Sequence, residues 1–313
     1  MFRRSQVLSL LGGAAATAFA PARAFGQTTK IRIGTQQTEA YAQPYYARDT
    51  GIFQQQGLDV EIVPFNNAAI STAALVGGSI DVAGNDVIEL ANAVNRGIPL
   101  VLIAGGALYR SSAPTLLLCV DKNASIRNAK DFEGRTVAVT VLGGLSYTVT
   151  RAWLASNGAD LSKIHIIELP PIEMAAALGR GTIAGATISE PSLNVAKATV
   201  RPLGKPYDVV ANEFQISSWL TSRDWLSRNA DVAKRLTVSF YAASRWANAH
   251  QSDSLAILEK YTKLNPDNTK GMTRARYATA LPLTQLQPLL ETALKYKTVE
   301  RPIDLSKFIA TPS

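Results

Sequence analysis

The sequence predicts an α/β protein of two similar lobes, each a mostly parallel sheet flanked by helices, with a cleft between them. Three observations carry this. First, a pattern recurs without gaps: Ala73-Ala74-Leu75-Val76-Gly77-Gly78-Ser79-Ile80-Asp81-Val82-Ala83 aligns with Ala176-Ala177-Leu178-Gly179-Arg180-Gly181-Thr182-Ile183-Ala184-Gly185-Ala186. Second, each copy closes a run of strand, helix, strand, helix and strand, the order that builds parallel sheets. Third, 289 residues remain once a leader of 24 is set aside, a length that suits two cores better than one.

The leader comes first. Arg3-Arg4 precede the apolar run Val7–Ala20, and Ala22-Arg23-Ala24 has the small-x-small form of a cleavage site. The run is too short to span a bilayer. Residues 1–24 are therefore expected to be an export signal, and Arg3-Arg4 suits either the general secretory or the twin-arginine route. No cysteine stands at the cleavage point to take a lipid anchor, so a protein released there is expected to be retained in a periplasm. Loss of the leader removes three arginines and no acid, lowering the net charge from +8 to +5.

In the first copy, Ile31–Gly34 is a strand, followed by the polar loop Thr35–Ala40, a helix ending near Gly51 and the strand Gly57–Val63. In the second, Thr136–Val139 is the strand, Leu142–Ser146 the loop, Arg151–Leu154 lies in a helix, and His165–Leu169 is the next strand. Each repeated segment reads as a helix end, a glycine able to take positive φ, and a short apolar strand. Pro99–Ile103 adds a strand to the first lobe. Thr115–Val120 and Phe214–Thr221 are the expected crossovers, placing the first lobe at residues 25–113 and 217–313 and the second at 114–216. The tail reads as helical: Asn229 is expected to cap a helix from Ala230, and helices are expected over Ser252–Lys263, Thr269–Ala280 and Thr284–Lys297.

In open parallel sheets a ligand sits beyond the C-terminal strand ends, where N–H groups of helix starts are unpaired. That places Gln36, Gln37, Thr38, Glu39 and Tyr41 after the first strand, Phe65, Asn66 and Asn67 after the second, and Asn85 and Asp86 after the third. The second lobe contributes Gly143, Gly144, Ser146 and Tyr147, then Ser189 and Glu190. Gly143-Gly144 lets backbone approach a ligand, and Ser146 is expected to cap its helix, although ordinary strand-to-helix turns share this composition. Glu39, Asp86 and Glu190 suit amines, amidines or hydroxyls and oppose a small bare anion; first-turn carboxylates and solvated loops account equally well for them. Tyr41, Phe65, Tyr109, Tyr147 and Phe214 can stack on a ring or simply fill a core.

Other chemistries are disfavoured. Basic residues are scattered, so no nucleic-acid surface is expected. Cys119, the only cysteine, lies in the apolar run Thr115–Val120 and reads as buried. His165 and His250 fall on an expected strand and helix without accompanying cysteines or carboxylates, so neither a metal site nor a cofactor is expected. Gly179–Gly185 follows a helix and precedes a strand, the reverse of a dinucleotide loop. An enzyme on this fold would have only Glu39, Asp86 and Glu190 to move protons.

The chain resembles the substrate-binding proteins of importers for nitrate, alkanesulfonates, taurine and thiamine-pyrimidine precursors, the Thi5-like, NMT1-type group. The resemblance rests on Lys30–Gly34, on Ala47-Arg48-Asp49-Thr50-Gly51-Ile52-Phe53 with Gly57-Leu58-Asp59-Val60, on Ala74–Ala83 and on Lys130–Val139. It implies the type II periplasmic binding-protein fold with two crossing strands as hinge. It also implies a small-molecule ligand, a monomer, and the permease of an ATP-driven ABC importer as partner; a sensor docking on a membrane receptor would use the same fold. The family's ligand segments carry over to Gln37, Asn67, Asn85, Ser146 and Glu190. Two departures stand out: Ala184 replaces the aspartate seen at Asp81, and the loop Thr35–Tyr41 has no basic residue to meet a sulfonate or nitrate. The latter favours an organic ligand.

Overall fold

The computed structural model describes residues 29–310; the expected leader lies outside them. The chain starts with β1 (Thr29–Gln36), α1 (Gln43–Asp49), α2 (Ile52–Gln55), β2 (Leu58–Phe65), α3 (Ala68–Val76), β3 (Val82–Asn85), α4 (Val87–Asn95), β4 (Leu100–Gly105) and β5 (Ala107–Arg110). It then forms β6 (Leu116–Asp121), β7 (Thr136–Val139), α5 (Leu145–Ser156), β8 (His165–Glu168), α6 (Pro171–Gly179), β9 (Gly185–Ser189), α7 (Ser192–Ala196) and β10 (Val200–Gly204). The last part holds β11 (Glu213–Gln215), β12 (Ser218–Ser222), α8 (Arg223–Arg228), α9 (Ala230–Ala249), α10 (Gln251–Thr262), α11 (Pro266–Thr269), β13 (Arg276–Tyr277) and α12 (Leu283–Lys295).

Two five-stranded sheets result, ordered β2-β1-β3-β12-β4 and β10-β6-β9-β7-β8. They share one plan. In each, the first strand of the repeat lies between the second and third, with parallel pairings such as Ile33↔Val82 and Ala138↔Ala186. In each, an antiparallel strand from beyond a crossing, β12 or β6, pairs with the third strand. The segments read as crossovers thus contain the strands that follow each crossing; the connections themselves run through residues 111–115 and 205–212. A small antiparallel sheet, β11-β5-β13, lies beside them.

The repeat is visible in the backbone. Gly78 and Gly181, equivalent in the alignment, both follow the helix of their copy and take φ of 71° and 68°, a conformation that costs glycine little. The aspartate missing from the second copy has a specific task in the first: the Arg32 guanidinium donates to Asp81 at 2.9 Å and the Arg32 backbone N–H at 2.8 Å.

The first lobe packs its sheet on α9, where Trp219 of β12 stacks on Phe240 with ring centroids 4.5 Å apart. Gly84 makes room for this: a Cβ there would lie 2.9 Å from both the Trp219 and the Tyr41 rings. Gly84→Ala is therefore expected to lower stability by about 1–3 kcal/mol through overpacking, measurable by urea denaturation. In the second lobe, Leu118, Phe132, Val137 and Leu154 pack on one side of the sheet and Cys119, Met174, Leu178 and Ile188 on the other. Burial pushes the Cys119 thiol up to about 12, as befits an inert core residue.

Three expectations about the tail are corrected. Residues 270–275 are irregular where a helix over Thr269–Ala280 was expected, because Gly271 turns with φ of 76° and the Ala275 N–H is taken by Glu39. Asn229 occupies the N-cap position of α9, which starts at Ala230 as expected, but its side chain makes no capping bond; its amide donates back to Trp225 O at 2.9 Å. His250 lies at the junction of α9 and α10, stacked on Trp246, and not within a helix.

Candidate functional site

The C-terminal ends of the parallel strands of both sheets face a shared cavity of about 150 Å³. Its lining includes Gln36, Thr38, Glu39, Tyr41, Asn66 and Asp86 from the first lobe and Gly144, Ser146, Ser189 and Glu190 from the second. The lobes also touch directly. The Thr148 hydroxyl on α5 donates to Thr298 Oγ1 at 2.8 Å, and Lys197 Nζ donates to Lys270 O at 3.1 Å.

The other expected site residues lie outside the lining, and strand geometry accounts for several of them. Successive residues at a strand end point to opposite faces. Gln36 therefore lines the cavity while Gln37 turns outward and donates to Tyr261 O at 2.6 Å. Phe65 covers Gly34 on the sheet, and Asn67 accepts the Ile70 N–H as the cap of α3. Asn85 is fully buried and hydrogen-bonded with Thr72 at 2.8 Å. Tyr109 is buried in a cluster with Tyr207 and Phe214 at the crossings, its hydroxyl donating to Asp208. Gly143 makes the turn at φ of 76°, and the Tyr147 ring lies against the Arg151 guanidinium. Ser146 lines the cavity without capping α5 through its side chain: its Oγ accepts the Thr140 N–H at 3.1 Å.

Each carboxylate has a distinct setting. Glu39 is 2% exposed; its Oε1 accepts from Arg274 Nε at 2.9 Å and from the Ala275 N–H at 3.1 Å, whereas Oε2 has no partner. Burial pushes this carboxyl up and Arg274 opposes the rise. Asp86 caps α4, its Oδ1 accepting the N–H groups of Ile88 at 2.8 Å and Glu89 at 3.1 Å. Burial, reinforced by the neighbouring Glu89 charge, pushes Asp86 up to about 7. Glu190 spans the lobes, accepting the Asn194 N–H on Oε2 at 3.0 Å and the Thr273 N–H on Oε1 at 3.2 Å. Burial raises it to about 7 as well.

Several lining residues were not anticipated from the sequence. Glu89 lies one helical turn beyond Asp86, and that spacing alone could have signalled it. Tyr207, Leu116, Ile216 and Ala275 enter from the crossings and the tail, where no strand-end rule reaches. Among the described residues no lysine, arginine or histidine lines the cavity, and no group of three or more potential ligands could hold a metal ion.

Two lobes with matching sheet order, joined by two crossings around a shared cavity, define the two-lobed periplasmic binding-protein fold. The chain belongs to the NMT1/THI5 like family, whose model matches residues 39–275. It is similar to the taurine-binding periplasmic protein of Escherichia coli (strain K12), 23% identical over 87% of this chain and 84% of that one. Among solved structures it resembles the periplasmic aliphatic sulphonate binding protein SsuA from Escherichia coli, with a TM-score of 0.74, 21% identity, and coverage of 90% of this chain and 97% of the other. It also resembles the ligand-binding component of an ABC-type import system from Staphylococcus aureus, with a TM-score of 0.77, 19% identity, and 90% and 97% coverage.

Proposed function

We propose that this protein captures a small organic solute between its lobes in the periplasm and delivers it, as a monomer, to the permease of an ABC importer. The observation that carries this is the cavity lined from the strand ends of both sheets. A solute held there touches Gln36, Asp86 and Glu89 on one side and Gly144, Ser146 and Ser189 on the other, so binding and lobe closure are coupled. The crossings at 111–115 and 205–212 act as the hinge, and the closed shape is what the permease reads. No described helix is long and apolar enough to cross a membrane. The family's relatives named above are binding proteins, and the same role is assigned here in place of an enzymatic one.

The test is native mass spectrometry on protein purified without denaturant from its own cells, with small-angle scattering before and after the bound compound is stripped and restored. The expected result is a stoichiometric small-molecule adduct, chemically unchanged, whose return shrinks the radius of gyration. A protein that carries no adduct and keeps one radius with every periplasmic metabolite offered is not a capture protein.

A further inference from the structure

We infer that the solute is an organic cation, a protonated amine or amidinium on an apolar body, with its charged head held by Asp86 and Glu89. This rests on the capture reading above and adds the chemical class of the ligand.

The argument is one of charge and partners. The ionisable groups lining the cavity are four carboxyls, Glu39, Asp86, Glu89 and Glu190, and the tyrosines Tyr41 and Tyr207. Two of the four carboxyls are held largely by the protein. Glu39 is paired with Arg274, and each oxygen of Glu190 accepts a backbone N–H. The other two are held less completely. Among the described residues, Asp86 takes both of its N–H bonds on Oδ1, leaving Oδ2 without a donor, and Glu89 accepts no side-chain hydrogen bond; Arg96 offers it only a longer-range attraction. Asp86 is 4% exposed and Glu89 7%.

A buried carboxylate without a matching cation is costly, and two on one face of a helix, three residues apart, repel each other. Both features are relieved by one group: a cation between them, accepting no hydrogen bond and donating several. The positive end of α4 offsets part of the Asp86 charge but does not supply the missing donors. The rings of Tyr41 and Tyr207 give such a head an apolar, π-rich surround that also favours cations. A sulfonate, the group named for the Escherichia coli SsuA protein, would meet carboxylates and no cationic side chain in this cavity.

The experiment uses the exported chain, stripped of bound compound, and probes that share a ring and differ in charge: benzamidine, benzamide, benzoate and benzenesulfonate, with n-hexylamine as an aliphatic cation. Binding is read by calorimetry and thermal shift. The expected result is that a cation binds at least about tenfold tighter than the neutral and anionic probes. Asp86→Asn keeps an oxygen to cap α4, and Glu89→Gln keeps the side-chain volume; each is expected to weaken cation binding about 10- to 100-fold while folding normally. Cations that bind both variants as tightly as the parent protein would show that the carboxylates are structural and overturn the assignment. Preference for benzoate or benzenesulfonate overturns it too, and leaves solute capture standing. Binding of no probe also overturns it, while the co-purified adduct described above judges capture independently.

Discussion

Replacing Arg274 by alanine is expected to destabilise the protein by about 3–5 kcal/mol, the effect of stranding a buried charge, and to lower Tm by roughly 10 °C. Arg274 holds more than one element. Its guanidinium pairs with Glu39 at 2.9 Å, reaches the Tyr46 hydroxyl at 3.3 Å and Ser254 Oγ at 3.2 Å, and donates to Gln251 O. The first cavity loop, α1, α10 and the segment before β13 are thereby tied together. Without it, Glu39 Oε1 keeps the Ala275 N–H, and Oε2 already lacks a partner. The double variant Arg274→Met/Glu39→Gln removes both charges and is expected to recover most of the loss, since an uncharged buried pair leaves no ion to solvate. Chemical denaturation of Arg274→Met, Glu39→Gln and the double variant closes the cycle. A double variant as unstable as the sum of the singles would show that the two side chains act independently.

Stability is also expected to fall as pH rises from 5 to 8, opposite to the behaviour of a protein stabilised by exposed carboxylates. Asp86 and Glu190 stand at about 7 in the folded protein, against ordinary values of about 3.9 and 4.3. Between those limits the folded chain retains protons that the unfolded chain has released, so each increment of pH favours unfolding until the folded value is passed. A carboxyl displaced from about 3.9 to about 7 corresponds to roughly 4 kcal/mol at most. Below pH 4 the trend reverses: Asp131, Asp160 and Asp304, held low by N–H and hydroxyl donors, lose their favourable contributions there. Thermal melts of ligand-stripped protein at pH 5, 6, 7 and 8 test this. Asp86→Asn is expected to flatten the curve, and an unchanged slope in that variant would assign the dependence elsewhere.

The architecture was legible because it is written locally. Helix-closing glycines followed by short apolar strands recur at a fixed offset, and Gly78 and Gly181 share one backbone conformation. Much of the cavity wall followed from the same logic, since strand ends can be located from a pattern of period two. Which strand-end residue points inward was less legible, because a one-residue change of register exchanges Gln36 with Gln37. The partners were not legible at all. Arg274 meets Glu39 across 235 residues of sequence, and Tyr207 reaches the cavity from a crossing segment. Pairing of this kind depends on how the tail folds back, and in the irregular stretch at 270–275 the Ala275 N–H is taken by Glu39 and the Thr273 N–H by Glu190.

The placement of β12 between β3 and β4 has a consequence for how the molecule folds. The second sheet is drawn from one contiguous stretch, residues 116–204, and its contacts can form as soon as that stretch is available. The first sheet must wait. The Thr221 hydroxyl that donates to Asp81 O is 140 residues away along the chain, and closing so long a loop around an intervening lobe carries an entropy penalty and slows folding. A lobe that has already collapsed draws the ends of that loop together. Docking of β12 is therefore expected to come late, and until it occurs β3 keeps an unpaired edge and β4 has no partner in the sheet, both open to association with other chains.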